Sequence, residues 1–201
     1  KHIGVTNFDV PHLAEILEAG VPVVSNQVQY SVLDRRPEQG MVALCEEHGI
    51  ALLCYGTVAG GFLSERYLGA PEPVPPFENR SLTKYGLIVD EFGGWGLFQQ
   101  LLAVLKEIGR KHGATLTAVA TRAVLQKRAV GAAIVGARDA RHLAESLRLF
   151  DLHLDEADLE AIQRVTDQAR GPAGDVYGLE RVKGGRHAGI MRYNLNQGVS
   201  R

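Results

Sequence analysis

Val21-Pro22-Val23-Val24 runs into Asn26-Gln27, an apolar stretch closing on two amides, and the reading of the whole chain grows out of it. The apolar residues are continuous rather than alternating and mostly β-branched, as in a strand buried on both faces. Three other runs are likewise short and continuously apolar: Ile3 to Val5 before Thr6-Asn7, Ile50 to Cys54 before Tyr55-Gly56, and Ala132 to Val135 before Gly136. Helical patterns lie between them. Asp9 caps a helix that places Leu13, Ile16 and Leu17 on one face and stops at Gly20. A second helix is expected from near Pro37, a residue favoured in first turns, to His48-Gly49. Residues 60–96, rich in Pro, Gly and aromatics, read as a long loop after the third strand. Helical patterns follow at about 97–111 and 116–126, then at about 139–149 and 155–168 beyond the fourth strand. The last 30 or so residues have no clear periodicity, and a flexible terminus is the expectation.

This alternation predicts parallel strands joined by right-handed helical crossovers. A doubly wound sheet and a β/α barrel both satisfy it. The 201 residues suit four β/α units, which make either half a barrel or a small open sheet.

Composition narrows the function classes. A hydrophobic fraction of 45% and a charged fraction of 22% are those of an ordinary globular protein. A net charge of −1 offers no basic surface for nucleic acid, and no apolar run is long enough to span a bilayer. Cys45 and Cys54 sit in apolar contexts and read as small buried hydrophobes, which fits a reducing cytoplasm. His2, His12, His48, His112 and His187 are scattered without ligand spacing, so no metal site is assigned and surface or capping roles are expected.

The chemistry-bearing residues stand where the strands stop. Thr6-Asn7, Asn26-Gln27, Tyr55-Gly56-Thr57 and Gly136-Ala137-Arg138 fall at the edge that holds ligands in parallel α/β folds. Amides and hydroxyls there suit a neutral planar ligand, and a tyrosine offers a stacking face. Each alone also serves as a cap or turn residue. Gly136 to Asp139 is the anion-binding candidate: a strand ends, a helix opens with free N–H groups, and Arg138 carries a planar fork.

Together these segments resemble the aldo-keto reductases. Ile3-Gly4-Val5-Thr6-Asn7-Phe8 is similar to the family's fifth-strand signature, with Thr6 in place of Ser. Asn26 to Ser31 through Asp34-Arg35-Arg36-Pro37-Glu38 resembles the sixth-strand segment, and Tyr55-Gly56 through Gly60-Gly61-Phe62-Leu63 the seventh. Ile134 to Arg138 through Leu143-Ala144-Glu145-Ser146 resembles the eighth. The resemblance implies a (β/α)8 TIM-type barrel, of which residues 1–170 supply strands five to eight as a half barrel and 171–201 a C-terminal tail. It implies that Thr6, Asn7 and Gln27 hold a nicotinamide carboxamide, that Tyr55 stacks on the ring, and that Gly56 belongs to the same site. It assigns the adenosine end of NADP(H) to Gly136, Ala137, Arg138, His142, Glu145 and Ser146. His142 stands where Arg or Gln is common, and Ser146 where Asn usually binds adenine.

Family members reduce aldehydes and ketones with a Tyr proton donor tuned by a Lys, with an Asp and a His nearby. The resemblance puts these four on strands two to four, ahead of Lys1, so no catalytic residue is assigned here. Lys84-Tyr85 reads as loop packing. The expectation is a truncated homologue, inactive by itself, carrying the NADP(H)-binding half; the alternative is a natural non-catalytic nucleotide-binding or oligomerising half barrel. Four strands cannot close a barrel, so a homodimer or higher homo-oligomer is expected of these residues alone. The 60–96 loop is a candidate lid, and the tail is expected to lie at the barrel mouth, at a dimer interface or free.

Overall fold

The computed structural model describes residues 1–136 and 147–191. Four parallel strands form one sheet in sequence order: β1 (Ile3–Thr6), β2 (Val23–Gln29), β3 (Ala51–Tyr55) and β4 (Val130–Ile134). The described helices are α1 (Val10–Glu18), α2 (Met41–Glu47), α3 (Arg80–Phe92), α4 (Gly94–His112), α5 (Leu116–Leu125), α6 (Glu156–Thr166) and the short α7 (Gly178–Arg181) and α8 (Arg186–Gly189). The helix expected at about 139–149 falls mainly outside the described residues.

The pleat sorts the strand residues onto two faces. In β3, Leu52 and Cys54 are buried toward the helices while Ala51, Leu53 and Tyr55 turn to the other face. The helix side is closed by Leu13, Val23, Val28, Met41, Cys45 and Ile50, packed with Leu52 and Cys54. Small residues crowd the opposite face: a Cβ on Gly131 would stand 2.9 Å from that of Ala51. That face is covered less well, with Ile134 at 42% exposure. Both cysteines are buried and free, as their apolar surroundings suggested.

β2 runs further than its apolar letters indicate. Asn26 and Gln27 do not end it; it continues to Gln29. Asn26 turns to the helix side, where its Nδ2 donates to the Phe8 carbonyl at 3.0 Å, so the amide is tolerated in mid-strand. Gln27 lies on the other face, in register with Thr6. Asp9 caps α1 as expected, its carboxylate accepting from the His12 N–H at 3.1 Å. Pro37 belongs to a 3-10 turn, and the second helix starts only at Met41.

The expected long loop is corrected in its last third. Residues 80–92 form α3, opened by Asn79, whose side chain accepts from Leu82 N at 3.0 Å. Leu82, Tyr85, Ile88, Val89 and Phe92 bury one face at helical spacing. Gly93 and Gly94, both at positive φ (148° and 81°), let the chain turn directly into α4. The prolines at 71–76 and these glycines mask the helix between them. Lys84 and Tyr85 are therefore helical residues. Phe62, Tyr67, Trp95 and Phe98 pack edge-on or tilted, with centroids 4.8–6.3 Å apart, and fix α4 on the loop after β3.

Residues 171–191 are packed rather than free. Asp175 accepts from the Val10 N–H at 2.8 Å, Glu180 is fully buried, and Arg186 pairs with Asp90 at 2.6 Å. His187, expected in a surface or capping role, is instead buried and bonds Glu91 at 2.8 Å, docking this segment on α3. Residues 192–201 lie outside the described part of the chain.

Candidate functional site

The strands deliver their ends to one rim. Thr6 is in register with Gln27, Gln29 with Tyr55, and Tyr55 with Ile134. Asn7 stops β1 in a left-handed conformation (φ 58°), with its N–H donating to the Gln27 carbonyl at 2.9 Å. That turn brings its side chain over β2, and Tyr55 Oη donates to Asn7 Oδ1 at 2.8 Å. Asn7 thus touches Tyr55 through its side chain and Gln27 through its backbone, although 48 residues separate Asn7 from Tyr55. Thr6 is exposed and Gln27 half-buried. Burial first, then Tyr85 and Glu180, raise the Tyr55 pKa above its ordinary value, so the phenol stays protonated and acts as a hydrogen-bond donor.

A buried ion network underlies this end, and sequence reading missed it. Arg36 is bound by Asp34 through Nε at 2.9 Å and Nη2 at 2.7 Å, and by Glu180 at 2.8 and 3.1 Å. Burial works against the Arg36 cation, but the two carboxylates outweigh it and raise its pKa. Burial likewise works against the Glu180 carboxylate, and Arg36 more than offsets it, leaving the pKa below the ordinary value. Gln29 Nε2 donates to Asp34 at 2.6 Å, and its buried Oε1 has no partner. Lys84, from α3, reaches within 4.0 Å of Glu180 and lies 5.1 Å from the Tyr55 ring centroid. Burial lowers the Lys84 pKa, and Glu180 opposes that shift. Arg181 pairs with Asp9 at 2.7 Å and donates to the Asn7 carbonyl at 2.6 Å, tying the tail to the rim.

Beyond Tyr55 the rim changes character. Gly56 (φ 74°) and Gly60 (φ 64°) turn the chain sharply, and Tyr85 fills the space a side chain would need. A Cβ on Gly60 would lie 2.8 Å from the Tyr85 ring. This turn, Arg66, Asn79, Ser81 and Gly136 line a cleft of about 620 Å³. Thr57, in its wall, is buried with its hydroxyl unpartnered. A second cleft of about 380 Å³ shares Val58, Arg66, Val135 and Gly136 with it and continues along Ser64, Thr117 and Thr121. Gly136 thus stands where the two clefts meet. Ala137, Arg138, His142, Glu145 and Ser146 lie outside the described residues.

These features fit a nicotinamide dinucleotide. The clefts have the size of small-ligand sites. The orphaned Thr57 hydroxyl and the glycine turn suit a phosphate, which needs donors and close backbone approach. The amides and phenol at the other end suit a planar carboxamide. Among the described residues no group of His, Cys, Asp or Glu could hold a metal ion, and no helix is long and apolar enough to cross a membrane.

The sequence profile of the Aldo/keto reductase family matches residues 1–167. Flagellar radial spoke protein 5 of Chlamydomonas reinhardtii is 41% identical over 125 residues, 61% of this chain and 24% of that protein. A chloroplastic pyridoxal reductase of Arabidopsis thaliana is 33% identical over 152 residues, 73% of this chain and 38% of that protein. The chain thus spans well under half the length of these curated relatives. Among solved structures, a glycerol dehydrogenase of Gluconobacter oxydans superimposes with a TM-score of 0.70 at 20% identity, over 86% of this chain and 51% of that one. At that identity the likeness shows the fold alone.

Proposed function

This chain belongs to the aldo/keto reductase family, and from that premise we propose that it is the dinucleotide-binding half of a carbonyl-reducing barrel. Thr6, Asn7 and Gln27 hold the carboxamide of NADP(H), and Tyr55 supports the ring. The turn from Gly56, with Thr57 and Arg66, receives the phosphates, and the segment from Gly136 through Ala137, Arg138, His142, Glu145 and Ser146 the adenosine end. Bound there, the dinucleotide supplies the hydride for reduction of an aldehyde or ketone. The proton donor belongs to the other half of the barrel, so these 201 residues bind cofactor without turning over a carbonyl.

One observation carries this reading: the bond between Asn7 and Tyr55 brings together two ends of non-adjacent strands, beside a glycine turn whose cleft holds an unpartnered hydroxyl. The name of one relative, a pyridoxal reductase, is consistent with carbonyl chemistry. Calorimetric titration of the 201-residue chain with NADPH tests it, run beside a turnover assay with a test aldehyde. Saturable binding without turnover is expected. Absence of binding contradicts the site, and steady turnover contradicts the division of labour.

The edges β1 and β4 and the thinly covered sheet face, with Ile134 at 42% exposure, favour a homo-oligomer for these residues alone. Light scattering of the 21.8 kDa chain decides this, and a well-folded monomer contradicts it.

A further inference from the structure

Lys84 is the cation of the site that the reading above leaves without a task. It sits on α3, one residue before Tyr85, and only 14% of its side chain is exposed. Its ammonium lies 5.1 Å from the ring centroid of Tyr55 and 5.6 Å from that of Tyr85. One carboxylate, Glu180, is 4.0 Å away, and it is already shared with Arg36 at 2.8 Å. A positive charge is thus held against the aromatic ring proposed to support the nicotinamide.

The two redox forms of a nicotinamide differ in charge at the atoms that would meet this ring. The oxidised pyridinium carries a full positive charge, and the reduced dihydropyridine is neutral. An aromatic face attracts a cation through its quadrupole, and a cation already engaged there weakens the attraction for a second. The sign does not depend on which face of Tyr55 the ligand takes. On the Lys84 side the ammonium must move away from its seat. On the far side the two charges repel across the ring in a medium that screens poorly. A neutral ring on the Lys84 side displaces the ammonium too, but on neither side does it meet repulsion between like charges.

Resting on the reading of Tyr55 as the nicotinamide platform, we propose that Lys84 sets the redox preference of the site, weakening its hold on the oxidised dinucleotide more than on the reduced one. The site then retains the hydride-bearing form and releases the spent one, a bias toward reduction built into the binding half. The ammonium itself faces both rings, so its charge is the operative feature. The expected discrimination is on the order of ten-fold, the repulsion being reduced by Glu180.

The test is calorimetric titration of NADPH and of NADP⁺ into the chain at neutral pH. Wild type is compared with Lys84→Met, Lys84→Gln, Lys84→Arg and Tyr55→Ala. Wild type is expected to bind NADPH about ten-fold more tightly than NADP⁺. Lys84→Met and Lys84→Gln bring the two affinities within about two-fold of each other, mainly by tightening NADP⁺, while Lys84→Arg keeps the gap. An unchanged ratio in the two neutral variants overturns the assignment of Lys84 and leaves the platform standing. Failure of wild type to bind either form, or binding indifferent to Tyr55→Ala, overturns the platform and the role of Lys84 with it.

Discussion

At the Tyr55 end of the rim, the site is assembled from side chains far apart in sequence: Asn7, Asp34, Arg36, Lys84, Glu180 and Arg181 converge on one tyrosine and its strand neighbours. At the Gly56 end a single short turn does the work through its backbone, with the Thr57 hydroxyl left unpartnered in the cleft wall. The first end is closed by mutually satisfied charges, so its shape depends on the tail staying in place. The second is open and depends on two left-handed glycines and the tyrosine packed on them. A ligand spanning both would meet a preformed cradle on one side and a latched, charge-tuned face on the other.

The largest expected effect breaks the first end. Glu180→Ala leaves Arg36 buried with one carboxylate in place of two and removes the counter-charge of Lys84. Losing one partner of a buried pair costs about 3 kcal/mol, and chemical denaturation should read that loss. Proteolysis within 171–191 should accelerate with it, because that segment is pinned at Glu180. Unaltered stability and protection would mean that the tail is held elsewhere.

Next is the glycine end. Gly56→Ala forces a Cβ onto a residue at φ 74° and against the Tyr85 hydroxyl. A cost of about 2 kcal/mol follows, together with at least ten-fold weaker NADPH binding as the turn shifts. If only stability falls, the turn is structural and the phosphates lie elsewhere. Smaller again is Asn79→Ala, which removes the cap of α3 and should cost about 1 kcal/mol in thermal or chemical unfolding. Because α3 carries both Lys84 and Tyr85, this variant loosens the two ends together.

The smallest effect is a change of slope with pH. In the folded chain the Glu180 carboxyl titrates below its ordinary 4.5, because Arg36 and then Lys84 outweigh its burial. A lowered acid contributes stability that is complete above its unfolded value and is lost as pH falls through the folded one. Wild type and Glu180→Gln should therefore differ most at neutral pH and converge in acid below about 4.5, whereas the glycine turn, lacking a titrating group, gives Gly56→Ala a constant deficit. A Glu180→Gln deficit that persists unchanged in acid would remove the ion network from the account.

The four strands were legible because each is a short apolar run ending in polar residues, and the Asp9 cap because its signal is local. The end of β2 was not, since Asn26 and Gln27 look like a terminus while one is buried inside, donating to the Phe8 carbonyl, and the other faces the opposite side. Helix α3 was hidden by the prolines before it and the glycines after it, although Asn79 and the spacing of Leu82, Tyr85, Val89 and Phe92 carried its signature. The pairing of Arg36 with Glu180 had no local trace at all: 144 residues lie between them, and only the folded chain brings them together. Local rules thus reach the strand tips and the backbone turn. They do not reach the charges that tune the tyrosine.

Amide hydrogen exchange of the chain, with and without saturating NADPH, addresses the central assignment most directly. Slower exchange at residues 6–7 and 56–61 together, one group from each end of the rim, is the predicted result. Protection confined to other parts of the chain, or no change at either group, would contradict it.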